Sequence, residues 1–365
     1  MTELTSRERM ERSLKRKPVD RIAVYESFWP DTKKKWVAAG RLREEESLED
    51  HFAFDLRGAG WPNMGADLDW KEQIVEETAE TKLVRNANGA LLRWWKDKAG
   101  TPEHVDFLVK DRDSWNKHVR AFLTDRSLDR RRLPIEDYKK AREKCRREDL
   151  FLAWTCVNVF ECMHPVCGHE YMLMGMALDP DWVKDMCNVY ADLLIRLQEI
   201  LFSEGGKPDG VYYFEDMGFK EKPFMSPKSY HDIMLPGHRK LFSYSHDLGL
   251  KVVIHSCGYV EPLVPGLIEA GMDCLQAMEV KAGMDLPRLA QRFGDRLAFC
   301  GGVDIRVVAT NDFKKIDEEL NRKIIPVLKR GAGYILHSDH SIPPEVEHDT
   351  LKYFFDHGRR ITQRI

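Results

Sequence analysis

Lys251-Val-Val-Ile-His-Ser-Cys-Gly258 is a short apolar run that ends in an imidazole and a thiol. Val252, Val253 and Ile254 are β-branched, which favours a buried strand. Alternation along an extended chain sends His255 and Cys257, two residues apart, to the same side. Gly258 then permits a turn into a helix expected from about Glu261. In proteins built from βα repeats, chemistry gathers at the carboxyl ends of the strands. An imidazole beside a thiolate there suits zinc, which takes nitrogen and sulfur together.

Outward from this stretch, the same alternation recurs from Asp149 onward. Phe151-Leu-Ala-Trp-Thr, Gly210-Val-Tyr-Tyr-Phe, Asp273-Cys-Leu-Gln-Ala, Arg296-Leu-Ala-Phe-Cys and Gly333-Tyr-Ile-Leu-His each precede a helical pattern, as Lys251-Val-Val-Ile does. Strand-then-helix units without hairpins imply a parallel sheet. Ile22-Ala-Val-Tyr25 and a run near Phe54 complete the set needed for a (β/α)8 TIM barrel, read as a single domain over residues 1–365. A doubly wound open sheet is the alternative, and no Gly-x-Gly-x-x-Gly turn follows any of these strands to support it. Ahead of the regular part lies an N-terminal elaboration. Gln73-Ile-Val-Glu-Glu, Thr81-Lys-Leu-Val-Arg and Leu91-Leu-Arg-Trp-Trp, with Asn86-Ala-Asn-Gly89 as a turn, predict an antiparallel meander. The charged stretch 104–148 reads as solvated helix faces.

Composition narrows the function. With 57 basic and 60 acidic residues and a formal charge of −3, the chain gives no reason to expect nucleic acid or an anionic membrane as partner. No apolar run approaches the ~20 residues of a membrane span. The charged opening Met1-Thr-Glu-Leu-Thr-Ser-Arg-Glu-Arg is unlike a secretory signal, and eight scattered cysteines are unlike a disulfide framework. A cytoplasmic globular protein is expected.

If the fold is a barrel, the polar residues just after each strand share one mouth. These are Glu26 with Phe28 and Trp29, Asn158, Glu215 and Asp216, His255 and Cys257, Glu279, Asp304, and His337, Asp339 and His340. His340 is the first choice as third metal ligand, with Asp339 or His337 behind it. Glu215, Asp216 or Glu279 would complete the metal shell or act as acid, leaving a position open for water or substrate. The competing reading makes His255 and Cys257 core residues and His340 a helix cap. Cys162-x-His164-x-x-Cys167-x-His169 packs four metal-type ligands into eight residues. It is tighter than ordinary structural zinc spacing, so it is read as a loop over the mouth with His164 lining the pocket. Trp29, Trp61 and Trp154 lie near strand ends and are read with Phe28 as pocket walls for a flat apolar ligand.

Taken together, Glu8-Arg-Met-Glu-Arg with Pro18-Val-Asp-Arg-Ile, Phe224-Met-Ser-Pro-x-x-Tyr230, His255-Ser-Cys-Gly258, Glu279-Val-Lys-x-Gly-Met-Asp285 and Gly301-Gly-Val-Asp304 resemble the uroporphyrinogen decarboxylase superfamily. The resemblance implies a (β/α)8 barrel with its site at the strand carboxyl ends, often as a homodimer. The decarboxylase itself carries an Arg-Gln-Ala-Gly-Arg-Tyr segment after the first strand, for the substrate's carboxylates. Here that place holds Glu26-Ser-Phe-Trp-Pro-Asp31, with no bidentate partner for a carboxylate. The better resemblance is to the zinc-containing, corrinoid-linked methyltransferases, which carry His-x-Cys and a later third ligand, usually Cys; His340 stands where that Cys would be. This branch implies methyl transfer between a small substrate and a corrinoid (cobalamin) held on a partner protein. The aromatic residues and missing arginines point to an aryl methyl ether and O-demethylation. A metal-free decarboxylase or lyase using Asp304 or Asp216 is the alternative.

Overall fold

Lys251–Ser256 is a strand near the middle of an eight-stranded parallel sheet, flanked on both sides by its sequence neighbours. The computed structural model describes residues 3–97 and 100–364. Strands are numbered in chain order: β1 Ala23–Val24 and β2 Leu56–Ala59, then β3 Gln73–Glu77, β4 Thr81–Arg85, β5 Ala90–Trp95 and β6 Glu103–Phe107. There follow β7 Phe151–Val157, β8 Gly210–Phe214, β9 Lys251–Ser256, β10 Cys274–Ala277, β11 Ala298–Cys300 and β12 Tyr334–Leu336. The large sheet runs β1-β12-β11-β10-β9-β8-β7-β2, and helices separate its successive strands from β7 onward. This is a (β/α)8 barrel, as the strand count predicts.

The seam between β1 and β2 is closed through one residue, Asp55. The buried Asp55 carboxylate accepts the Val24 N–H at 2.8 Å, and the Asp55 N–H is donated to the Val24 carbonyl. Arg9 and Arg21 both hold the same carboxylate at 2.8 Å, and Asp20 takes the other edge of Arg9. The Glu8-Arg-Met-Glu-Arg and Pro18-Val-Asp-Arg-Ile segments are therefore a barrel-closing device, remote from the mouth. A buried carboxylate needs this many donors to offset its lost hydration.

Alternation sorts the strand residues into two layers. Phe151, Ala153, Tyr212, Val253, Cys274 and Ile335 form an inner core, stoppered by Met10 and Leu14 of the helix Ser6–Leu14. Leu152, Trp154 and Cys156, the intervening residues of β7, pack outward with the helices. That is why the inward series of β9 runs from Val253 to His255 and on to Cys257 at the mouth.

The elaboration is a four-stranded antiparallel sheet, β3-β4-β5-β6, one strand longer than the pattern predicts. It meets the helix Val159–Leu178 at Gly168, where φ is +72° and a Cβ would lie 2.5 Å from Phe107. Only glycine fits there. This corrects the expectation for Cys162 to His169: the segment is helical, broken at Gly168, with no loop over the mouth. Among the described residues, no helix is long and apolar enough to cross a membrane.

Candidate metal centre

His255 leaves β9 on its inward face, in register with Gln276 of β10 and Phe214 of β8. Its Nδ1 faces the Gln276 Oε1, so the Nδ1 proton is donated there and Nε2 is left facing the mouth. Cys257 Sγ lies 3.3 Å from that Nε2, and an Asp216 carboxylate oxygen lies 3.3 Å from it on another side. Asp216 is the second residue beyond β8 and also accepts the Cys257 N–H at 2.8 Å. The loops can come this close because Gly218 and Gly258 touch backbone to backbone, where neither position has room for a Cβ. Gly258 also has φ +73°.

Asp216, His255 and Cys257 form the one group of three metal-type residues, among those described, whose donor atoms lie within 4.8 Å of one another. All three are partly exposed. On a single tetrahedral zinc, a sulfur and a nitrogen sit about 3.5 Å apart and a nitrogen and an oxygen about 3.3 Å apart. The observed separations match, and the sulfur, nitrogen and oxygen donors suit that ion. Burial works to raise the Asp216 carboxyl, but His255 and the Cys257 N–H hold it below the usual carboxylate range. Burial pushes the Cys257 thiol up, against the pull of His255.

The other expected site residues separate into three kinds. His340 is not brought to this group: its ring stacks on Trp29, with centroids 5.9 Å apart. The reason lies in the strand order, in which β8 is the direct neighbour of β9 while β12 is three strands away. Second, several acids are spent on backbone. Glu215 is fully buried and accepts the Phe160 and Glu161 N–H groups at 3.0 and 3.1 Å, capping the helix that begins at Val159. His238 holds the same carboxylate at 2.5 Å and is itself bonded to the Tyr230 hydroxyl at 2.9 Å. Glu279 takes the Gly258 N–H at 2.9 Å, and Asp304 caps a short helix while paired to Arg306. Third, the aromatic residues divide by face. Trp154 is wholly buried among the helices with its Nε1 on the Gly60 carbonyl, so it lines no pocket. Phe28 packs against both Phe52 and Phe54, half-buried. Trp61 is 48% exposed and leans on Phe214, which in turn touches the His255 ring at 5.0 Å.

His164 does reach the vicinity, stacked on His169 at 4.3 Å and 3.0 Å from Glu161. Burial, with His164 and His104 nearby, pushes His169 down to about 4. Cys162 and Cys167 are turned into the core, where burial keeps both thiols protonated, so the four-ligand motif does not converge.

A polar pair missed as a unit by sequence reasoning lies across the mouth. Glu26 Oε1 is 3.0 Å from His337 Nε2, and the Glu26 carboxyl also accepts the Ser27 and Ser338 N–H groups. Burial pushes Glu26 up to about 8 and His337 down to about 3, so the pair is neutral with its proton on the carboxyl. Gln276 joins this pair to His255, with its Nε2 3.3 Å from Nε2 and 3.4 Å from Nδ1 of the His337 ring.

The sequence model of the uroporphyrinogen decarboxylase (URO-D) family matches residues 156–361, which include β8, β9 and all three members of the metal group. Among solved structures, a methyltransferase from Methanosarcina mazei superposes with a TM-score of 0.66 at 15% identity, covering 99% of this chain and 100% of that one. At that identity the likeness shows a shared fold. An exo-beta-1,4-mannosidase, Op5Man5 from Opitutaceae bacterium strain TAV5, overlaps with a TM-score of 0.40 at 12% identity, over 94% of this chain and 60% of that one, too distant to carry an inference. No curated protein matches the chain.

Proposed function

Because the chain belongs to the uroporphyrinogen decarboxylase (URO-D) family, we propose that it is a zinc-dependent methyltransferase moving a methyl group between a small substrate and the corrinoid of a partner protein. The observation that carries this reading is the convergence of Asp216, His255 and Cys257 at the barrel mouth with the spacing of a tetrahedral site. Three protein donors leave a fourth position for substrate, the pattern of a catalytic rather than a structural centre. Zinc bound there would supply Lewis acidity to an ether oxygen or lower the proton affinity of a thiol acceptor.

The residues of this chain do the rest. Gln276 holds the His255 ring in one orientation, and Glu279 and Asp216 fix the backbone on either side of Cys257. Trp61 and Phe214 offer a flat apolar wall beside His255, suited to the ring of an aryl methyl ether. At the segment after β1 the decarboxylase has carboxylate-binding arginines. This chain has Glu26, which is buried against Ser338 and His337, so a polycarboxylate substrate finds no cationic partner there.

The test is single-turnover methyl transfer with zinc-loaded protein and a reduced corrinoid protein, using an aryl methyl ether and a methylated thiol as donors. Methylation of the corrinoid that is lost on chelation and restored by zinc supports the reading. Undiminished turnover of a substrate after complete metal removal would favour the metal-free decarboxylase or lyase instead.

A further inference from the structure

The candidate metal centre has a neighbour that neither the motifs nor the family comparison points to. Gln276 stands in register with His255 on the adjacent strand, is 2% exposed, and faces both His255 and His337 with its two amide ends. From this geometry we infer that Gln276 is a positioning residue for the metal. It fixes which nitrogen of His255 is free to ligate, and is itself held in one orientation by the His337–Glu26 pair. The inference rests on the zinc reading above and adds to it a residue through which the far side of the mouth reaches the centre.

The hydrogen positions are set from the far side of the mouth inward to His255. His337 Nδ1 lies 2.5 Å from the Ser338 carbonyl, so that nitrogen carries a proton and donates it there. Nε2 of the neutral ring is then a lone pair facing the Glu26 carboxyl, while Gln276 Nε2 lies against the ring, 3.3 Å from Nε2 and 3.4 Å from Nδ1. An amide N–H is attracted to the electron-rich ring, whereas an amide oxygen is repelled by it. The Gln276 NH2 is thereby turned toward His337, and its oxygen toward His255. That oxygen can only accept, so His255 Nδ1 must be the protonated nitrogen and Nε2 the one that meets Cys257 and Asp216. Metal-bound histidines are commonly oriented in this way through the second ring nitrogen, and losing such a partner typically costs about 10- to 100-fold in metal affinity. Here the partner is a neutral amide, so it orients the ring without adding a second negative charge behind it.

The experiment compares Co(II) affinity, by competition with a chromophoric chelator, in the wild type, Gln276→Leu and Gln276→Glu. Leu fills the space without polar atoms, whereas Glu returns an acceptor to the place of Oε1. The inference predicts affinity weaker by about 10- to 100-fold in Gln276→Leu, with a changed Co(II) absorption band, and recovery in Gln276→Glu. Equal affinity in Gln276→Leu and wild type would overturn it. So would equal weakness in both variants, which marks a packing role. If Gln276→Leu does not fold, the wild type still decides: loaded with an NMR-active cadmium isotope, it should show metal coupling to Nε2 of His255, and coupling to Nδ1 overturns the inference. A wild type that binds no metal at all would overturn the zinc reading itself, and the inference with it, while binding with unchanged variants removes the inference alone.

Discussion

Asp216 and Glu215 are adjacent in sequence, yet one faces the mouth 3.3 Å from His255 and the other is buried under a helix N-terminus. Replacing them should therefore produce opposite phenotypes. Glu215→Ala leaves the Phe160 and Glu161 N–H groups and the His238 ring without their partner, each unsatisfied buried group costing about 1–3 kcal/mol. Chemical unfolding should show a large loss of stability. Asp216→Ala should unfold near the wild-type midpoint and lose metal. Equal stability loss in both would contradict this division.

The aromatic residues divide in the same way. Trp154→Ala removes a fully buried indole and its bond to Gly60, and should cost about 3–5 kcal/mol in unfolding free energy. Trp61→Ala touches a half-exposed ring and should leave stability within about 0.5 kcal/mol of wild type. If Trp61 is the pocket wall proposed here, that variant should raise KM for an aryl substrate with little change in metal content. An unchanged KM would remove Trp61 from the site.

The Glu26–His337 pair gives a pH signature. Glu26 is raised from 4.5 to about 8, so the folded state holds a proton that the unfolded state releases, and this contribution falls as pH rises from about 4.5 to 8. His337 is lowered from 6.5 to about 3, so its contribution has the opposite sign and rises with pH from about 3 to 6.5. The two offset each other between about 4.5 and 6.5, and only the Glu26 decline remains between about 6.5 and 8. Glu26→Gln cannot ionise and should lack that decline. Urea midpoints of both proteins across this range check it, and parallel curves would contradict the neutral pair.

Much of this arrangement is legible in the sequence because strand alternation is local. The β-branched run ahead of His255 is enough to put His255 and Cys257 on one side, and the repeated strand-then-helix pattern is enough for the barrel. What is not local is harder to read. Alternation from Tyr212 and Phe214 already puts Asp216 on the inward side, but that Glu215 is used up capping a helix is set by where the neighbouring helix starts. His340 has the right chemistry, but nothing local to it shows that its ring turns onto Trp29 while Asp216, just beyond the adjacent β8, comes within 3.3 Å of His255. The Cys162–His169 motif looks like a metal loop until helical geometry sends its cysteines to the core and its histidines outward. Gln276 carries no motif, and only its register with His255 reveals it.

The central claim is that Asp216, His255 and Cys257 hold a metal. Elemental analysis of the purified protein after zinc reconstitution, with Cys257→Ala, Asp216→Ala and His340→Ala beside the wild type, tests it directly. The account predicts about one zinc per chain in the wild type and in His340→Ala, and loss of zinc in Cys257→Ala and Asp216→Ala. A wild type without zinc after reconstitution, or zinc retained in Cys257→Ala, would contradict it.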